Sequence, residues 1–193
     1  MAKYSNFGVA LLGHALGVAA GGAYAELLAE RILRPLGLED TAVVTLDEDD
    51  PRAARGHDPL GFAVRRWDLA AIAPAGGIVS TAADMRRWLS AQLHPDSAAF
   101  AEAIRMAHEP RVPLHVSALG RVLGAGLAGS RVGLAWITTE VGERAVTWHN
   151  GGTGGFGSFV GFDPEAGCGI VVLTNSTHTG RLDAAGMSVL SSE

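Results

Sequence analysis

The sequence predicts an α+β protein with an antiparallel sheet flanked by helices. Three observations carry that prediction. Helical apolar patterns fill the first part of the chain, four strand-like runs follow one another after Gly133, and Gly- or Pro-bearing turns separate those runs. At 193 residues the chain fits a single domain, 1–193, able to bury its own core.

Phe7 to Ala20 is nearly continuously apolar and reads as a buried helix closed by Gly21-Gly22. Leu27, Leu28, Ile32 and Leu33 continue at helical spacing until Pro35 and Gly37 stop the pattern. The acidic stretch Asp47-Glu48-Asp49-Asp50 before Pro51 is expected to be a solvated loop, and residues 56–79 are punctuated by Gly and Pro into irregular structure. Thr81 is the expected N-cap of a helix reaching about Leu93, with Asp84 as a first-turn charge and Ser80 and Thr81 as capping residues. A shorter helix is expected from Ser97 to Ala107, ending before Pro110.

Four strands are then expected: Leu134–Thr139, Ala145–Trp148, Phe156–Phe162 and Ile170–Leu173. The Gly-rich run from Gly151 to Gly155 is read as one of the turns between them. That run lacks the Lys and following helix of a phosphate loop, which argues against a nucleotide site. Trp67, Trp88, Trp136 and Trp148 are expected in the core or on a cleft wall.

Composition narrows the partners. A net charge of −5 argues against nucleic acid or anionic lipid. No window of eighteen apolar residues lacks a charge, so no membrane span is expected. Met1-Ala2-Lys3 leaves no room for a signal peptide before Tyr4, which leads to the expectation of a cytoplasmic protein. The single cysteine, Cys168, lies between two glycines at a strand entrance and reads as filler rather than a nucleophile. Basic residues are fourteen Arg and one Lys, so a lysine general base would have to be Lys3.

Three blocks stand in order along the chain: Tyr4-Ser-Asn6-Phe-Gly-Val-Ala-Leu-Leu-Gly-His leading into a helix, Pro74-Ala-Gly-Gly-Ile-Val-Ser-Thr-Ala-Ala-Asp-Met, and His149-Asn-Gly-Gly-Thr-Gly-Gly-Phe-Gly-Ser-Phe. In that order they resemble the penicillin-recognising serine hydrolases, above all the class C β-lactamase-like esterases and DD-peptidases. The resemblance runs from Tyr4 to about Ser176. It implies that the Tyr4 phenol exchanges protons with nucleophile and leaving group, and that Asn6 holds the carbonyl side of the substrate. It implies that His149 acts on the strand that floors the cleft, with Asn150, Gly151 and Gly152 binding substrate and the strand's N–H contributing to an oxyanion hole. A small-molecule ester is the substrate so implied.

The resemblance also implies a Ser-x-x-Lys nucleophile upstream of Tyr4, and here the sequence departs from it: no serine has Lys or Arg three residues on. A serine hydroxyl needs a base to become nucleophilic. Two expectations follow. One is hydrolysis of a carboxylic or phosphoric ester by water on Zn²⁺ or a similar divalent ion held by His57, Asp58 and His149. The other is a non-catalytic fragment or binding module that becomes active when complemented by a Ser-x-x-Lys segment. No His-x-x-x-His spacing supports a metal motif, and His14, His94, His108, His115 and His178 read as packing or solvated positions. Without the family's outer strands, Ile170–Leu173 would form an exposed edge and the helical layer would show apolar surface. A homo-oligomer through that edge or face is therefore expected.

Overall fold

The computed structural model describes residues 4–43, 50–114, 129–177 and 179–192, without the side chains of 179 and 180. Lys3, His115, His178 and most of the 47–50 acidic stretch lie outside the described residues.

The core is a six-stranded, wholly antiparallel meander in the order β10-β9-β8-β7-β6-β5. Its strands are β5 (Val112–Pro113), β6 (Arg131–Val132), β7 (Ile137–Val141), β8 (Arg144–Thr153), β9 (Phe156–Asp163) and β10 (Cys168–Thr174). The expected strands correspond to β7 through β10. The glycine run was misplaced: His149-Asn150-Gly151-Gly152-Thr153 continues β8, and the turn is confined to Gly154-Gly155. Pairing with Phe156–Val160 satisfies the backbone of this stretch, so ladder hydrogen bonds override the low strand preference of glycine.

One helix layer covers each face. The helix α4 (Ala82–Leu93) lies against β9 and β10 on one side, while a C-terminal helix, α6 (Thr179–Ser191), lies against β8, β9 and β10 on the other. That last helix was not anticipated. Its approach to the sheet is close: a Cβ on Gly186 would overlap the Phe159 ring, so the ring seats directly on the helix backbone. Val146, Trp148, Phe159 and Leu190 form the buried cluster between α6 and the sheet, and Leu89, Trp136 and Phe162 form the cluster on the α4 side.

Several polar groups inside this packing are paired. Trp148 Nε1 donates to Thr139 Oγ1 at 2.9 Å, and the Thr139 hydroxyl meets Ser130 Oγ at 2.7 Å, locking β7 to β8 from within. Arg144 donates to the Leu190 carbonyl at 3.0 Å near the end of α6 and sits 3.4 Å from the fully buried Asp163. A cation there suits the helix dipole and neutralises a carboxylate whose Oδ1 already accepts the Glu165 and Ala166 N–H groups. Thr81 caps α4 by accepting from Asp84 N–H, as expected. Asp84 is a first-turn charge, as expected, but it does not face solvent. It is fully buried, accepts from Asp40 N–H and Thr41 Oγ1, each at 2.8 Å, and pairs with Arg87.

Before this core lie α1 (Asn6–Ala20), α2 (Tyr24–Leu28), a π-helical turn (Ala29–Leu33) and α3 (Arg34–Leu36), which ends at Gly37 in the left-handed conformation. Short pairs β1 (Ala42–Val43) with β4 (Ile78–Val79), and β2 (Gly56–His57) with β3 (Ala63–Val64), organise the segment expected to be irregular. α5 (Ala101–His108) starts later than expected because Pro95–Ser97 forms a separate 3-10 turn. The reading of α1 as a buried helix fails. Only Ala10, Gly13 and Gly17 are buried, against Pro74 and the Gly22–Tyr24 backbone, while Phe7 is 74% and Val18 81% exposed. Apolar composition signalled a helix correctly, but most of its large side chains stay exposed among the described residues. Trp136 and Trp148 are buried as expected, whereas Trp67 is exposed.

His108, read as solvated, is wedged between Trp136 and Phe162 and hydrogen-bonded to Gln92 at 2.9 Å. Burial lowers its pKa from the ordinary 6.5. The unfolded chain therefore takes up the proton first. His108 costs nothing above the ordinary value, and stability is lost as the pH falls from there toward the folded pKa. The melting temperature is expected to drop between pH 7.5 and pH 5, and His108→Gln to flatten part of that slope. A second expectation concerns the hairpin tip. Gly155 has φ 80°, and a Cβ there would lie 2.7 Å from the Gly56 Cα, so Gly155→Ala should cost about 2 kcal/mol or more in denaturant titration.

Candidate active site

The strand β8 presents its residues to alternate faces of the sheet. Val146 and Trp148 enter the α6-side cluster, so Asn150 and Gly152 share that side, while His149 and Gly151 turn to the side of α4. The Tyr4 ring, immediately before α1, lies 6.0 Å from the His149 ring at an interplanar angle of 37°. The Ser5 hydroxyl accepts from Gly8 N–H at 3.0 Å and caps α1, fixing where Tyr4 leaves the helix. Two residues 145 positions apart in sequence are thus brought together by an N-cap and a strand.

His149 has a defined proton arrangement. Its Nδ1 lies 2.6 Å from the Asn150 main-chain oxygen. A carbonyl only accepts, so Nδ1 carries the hydrogen and Nε2 holds the lone pair in the neutral ring. Burial is the largest influence on this imidazole and lowers its pKa, opposed by the Asn150 hydrogen bond and the Asp183 carboxylate. The result is a base held toward its neutral form, with the lone pair on Nε2.

Asp183, on α6, is the residue that sequence reasoning missed. Its Oδ2 accepts the Asn150 side-chain N–H at 2.7 Å, and burial raises its pKa against the opposing pull of Asn150 and His149. The available signal was the spacing of Leu182, Gly186, Met187 and Leu190, which marks an amphipathic helix with Asp183 one step off its apolar stripe. Asn150 therefore has its amide committed to Asp183 on the face opposite His149. Gly151 lies beside Ser158, whose hydroxyl oxygen would be 2.6 Å from any Cβ placed there, and Gly152 pairs with Gly157. Asn6 opens α1 with an exposed side chain.

The residues expected to hold a metal do not converge. The His57 N–H donates to Asn175 O at 2.9 Å and to Gly155 O at 3.2 Å, and its Nδ1 also faces the Asn175 carbonyl, so it belongs to the hairpin tip and the end of β10. Asp58 Oδ1 accepts the Leu60 and Phe62 N–H groups, each at 2.9 Å, which makes it a turn-forming carboxylate. Among the described residues no group of three or more His, Cys, Asp or Glu side chains is placed to hold a metal ion. Adjacency in sequence did not suffice, because the fold brings no third ligating side chain to this pair among the described residues.

Comparison with known proteins follows the same geometry. The chain is 33% identical over 187 residues to the D-alanyl-D-alanine-carboxypeptidase/endopeptidase AmpH of Escherichia coli (strain K12), covering 92% of this chain and 46% of that protein. It is 27% identical over 195 residues to a beta-lactamase of Pseudomonas fluorescens, covering 91% and 54%. The chain thus spans about half the length of the curated relatives it matches. A class C beta lactamase from Rhodobacter sphaeroides, solved by crystallography, shares the fold with a TM-score of 0.77 at 22% identity, over 95% of this chain and 58% of that one. Residues 1–190 match the family model described as Beta-lactamase, and with Tyr4 facing the His149 strand on this scaffold, the chain belongs to the beta-lactamase family of hydrolases.

Proposed function

We propose that this chain supplies the proton-handling half of a serine-hydrolase cleft for small carbonyl esters, completed by a Ser-x-x-Lys segment. The observation that carries this reading is the 6.0 Å approach of Tyr4 to a His149 whose Nε2 is unprotonated. A phenol beside a neutral imidazole can pass a proton between nucleophile and leaving group, a contribution of roughly 10²–10⁴ in rate. The β8 backbone at Gly151, which carries no side chain of its own and lies beside the Ser158 hydroxyl, suits the carbonyl oxygen. Two surfaces are where the completing segment would dock: the side of β10 that no described strand pairs with, at the end of the strand order, and the apolar outer face of α1 with Phe7, Leu11 and Leu12.

Metal-bound water is the less supported route, since among the described residues no group of three or more His, Cys, Asp or Glu side chains is placed to hold an ion. Mixing the chain with a separately produced Ser-x-x-Lys-bearing portion of a family relative should allow labelling by a fluorophosphonate or fluorescent penicillin. Each component alone should stay unlabelled. Absence of labelling in the mixture, or hydrolysis by the chain alone that chelators abolish and Zn²⁺ restores, overturns the proposal. In the completed enzyme Tyr4→Phe is expected to lower kcat by about 10²-fold or more with a smaller change in KM. Because burial holds His149 neutral below its ordinary 6.5, the acid limb of kcat/KM should fall below that value.

A further inference from the structure

We propose that Asp183 is a positioning residue that fixes the tautomer of His149 by way of Asn150. The connection is continuous: Asp183 Oδ2 accepts the Asn150 side-chain N–H at 2.7 Å, and the Asn150 main-chain oxygen accepts the His149 Nδ1–H at 2.6 Å. Anchoring the side chain of Asn150 to α6 holds the residue's peptide plane, and that plane offers the carbonyl to the imidazole. Nδ1 keeps the hydrogen, and Nε2 stays the accepting nitrogen of a ring whose centroid lies 6.0 Å from that of Tyr4. A carboxylate thus orients an imidazole across the thickness of the sheet, with one strand residue between them.

A simple tether between α6 and β8 does not account for this arrangement. A hydroxyl or amide could accept the Asn150 N–H without placing a carboxylate in a half-buried setting. Asp183 Oδ1 is itself buried with no hydrogen-bond partner among the described residues, which is costly for a group whose only task is a tether. Negative charge beside His149 is what a carboxylate adds, and it favours the imidazolium that forms whenever the ring takes up a proton. The titratable groups placed against His149 are Tyr4 on its ring face and Asp183 across the strand.

The inference rests on the reading of His149 as the base of the site, and its test needs no turnover, so the two can fail separately. Nitrogen NMR of the histidine-labelled chain reports the tautomer directly, with the His149 signals assigned by their loss in His149→Gln. The native protein should show Nδ1 protonated and Nε2 as the bare nitrogen. In Asp183→Asn a mixture of tautomers should appear, and the protonation midpoint of His149 should fall by about half a pH unit or more, while Asp183→Glu restores both. Asn150→Ala should mix the tautomers without lowering the midpoint, because the charge remains. An unchanged nitrogen pattern in a folded Asp183→Asn protein overturns the proposal. If that variant does not fold, an unchanged pattern in Asn150→Ala overturns it instead.

Discussion

Everything at the site depends on how firmly β8 is held between its neighbours. Trp148 is the pivot: its ring stacks on Phe159 at 5.7 Å beneath α6, and its indole N–H is tied to Thr139 on β7. A buried aromatic that is satisfied at its polar atom has little freedom to shift. The residue that follows it therefore inherits a fixed position, and that residue is His149. Arg144 fixes the other end of the same strand, joining the α6 carboxyl end to the buried Asp163.

Much of this was legible in the sequence. The strands showed because Val, Phe, Trp and Ile alternate between punctuating glycines, and the cap of α4 showed because Thr81 has Asp84 three residues on. The pairing of Tyr4 with His149 was legible through family likeness and not through local pattern, since nothing within either segment encodes a partner so far away. What stayed hidden has a common cause. The metal expectation for His57 and Asp58 weighed side-chain chemistry without the backbone groups that would compete for it. The burial of α1 and the solvation of His108 were misjudged for the same reason: each depends on what a distant segment places beside it. Asp183 was invisible until α6 was recognised as a helix folding back onto β8.

The charge arrangement is economical in a physical sense. Buried carboxylates occur at Asp84, Asp163 and, in part, Asp183, and the first two have an arginine close by. Those two tie secondary elements together, as paired buried charges commonly do. Asp183 has only an amide donor and a histidine, a setting that leaves its protonation state responsive to neighbours. That difference separates a carboxylate that braces the fold from one able to influence chemistry.

The two-residue period of β8 has a further consequence. Because His149 and Asn150 occupy opposite faces, chemistry and its support are encoded in adjacent letters, and a slip of one position in the pairing with β9 would exchange them. The imidazole would then point into the packing under α6 and the amide into the cleft. The tight apposition of Gly155 with Gly56 at the hairpin tip works against such a slip, since it lets the turn close in one place only. Alignment of the strand is thus guarded from a point five residues beyond Asn150, by backbone touching backbone.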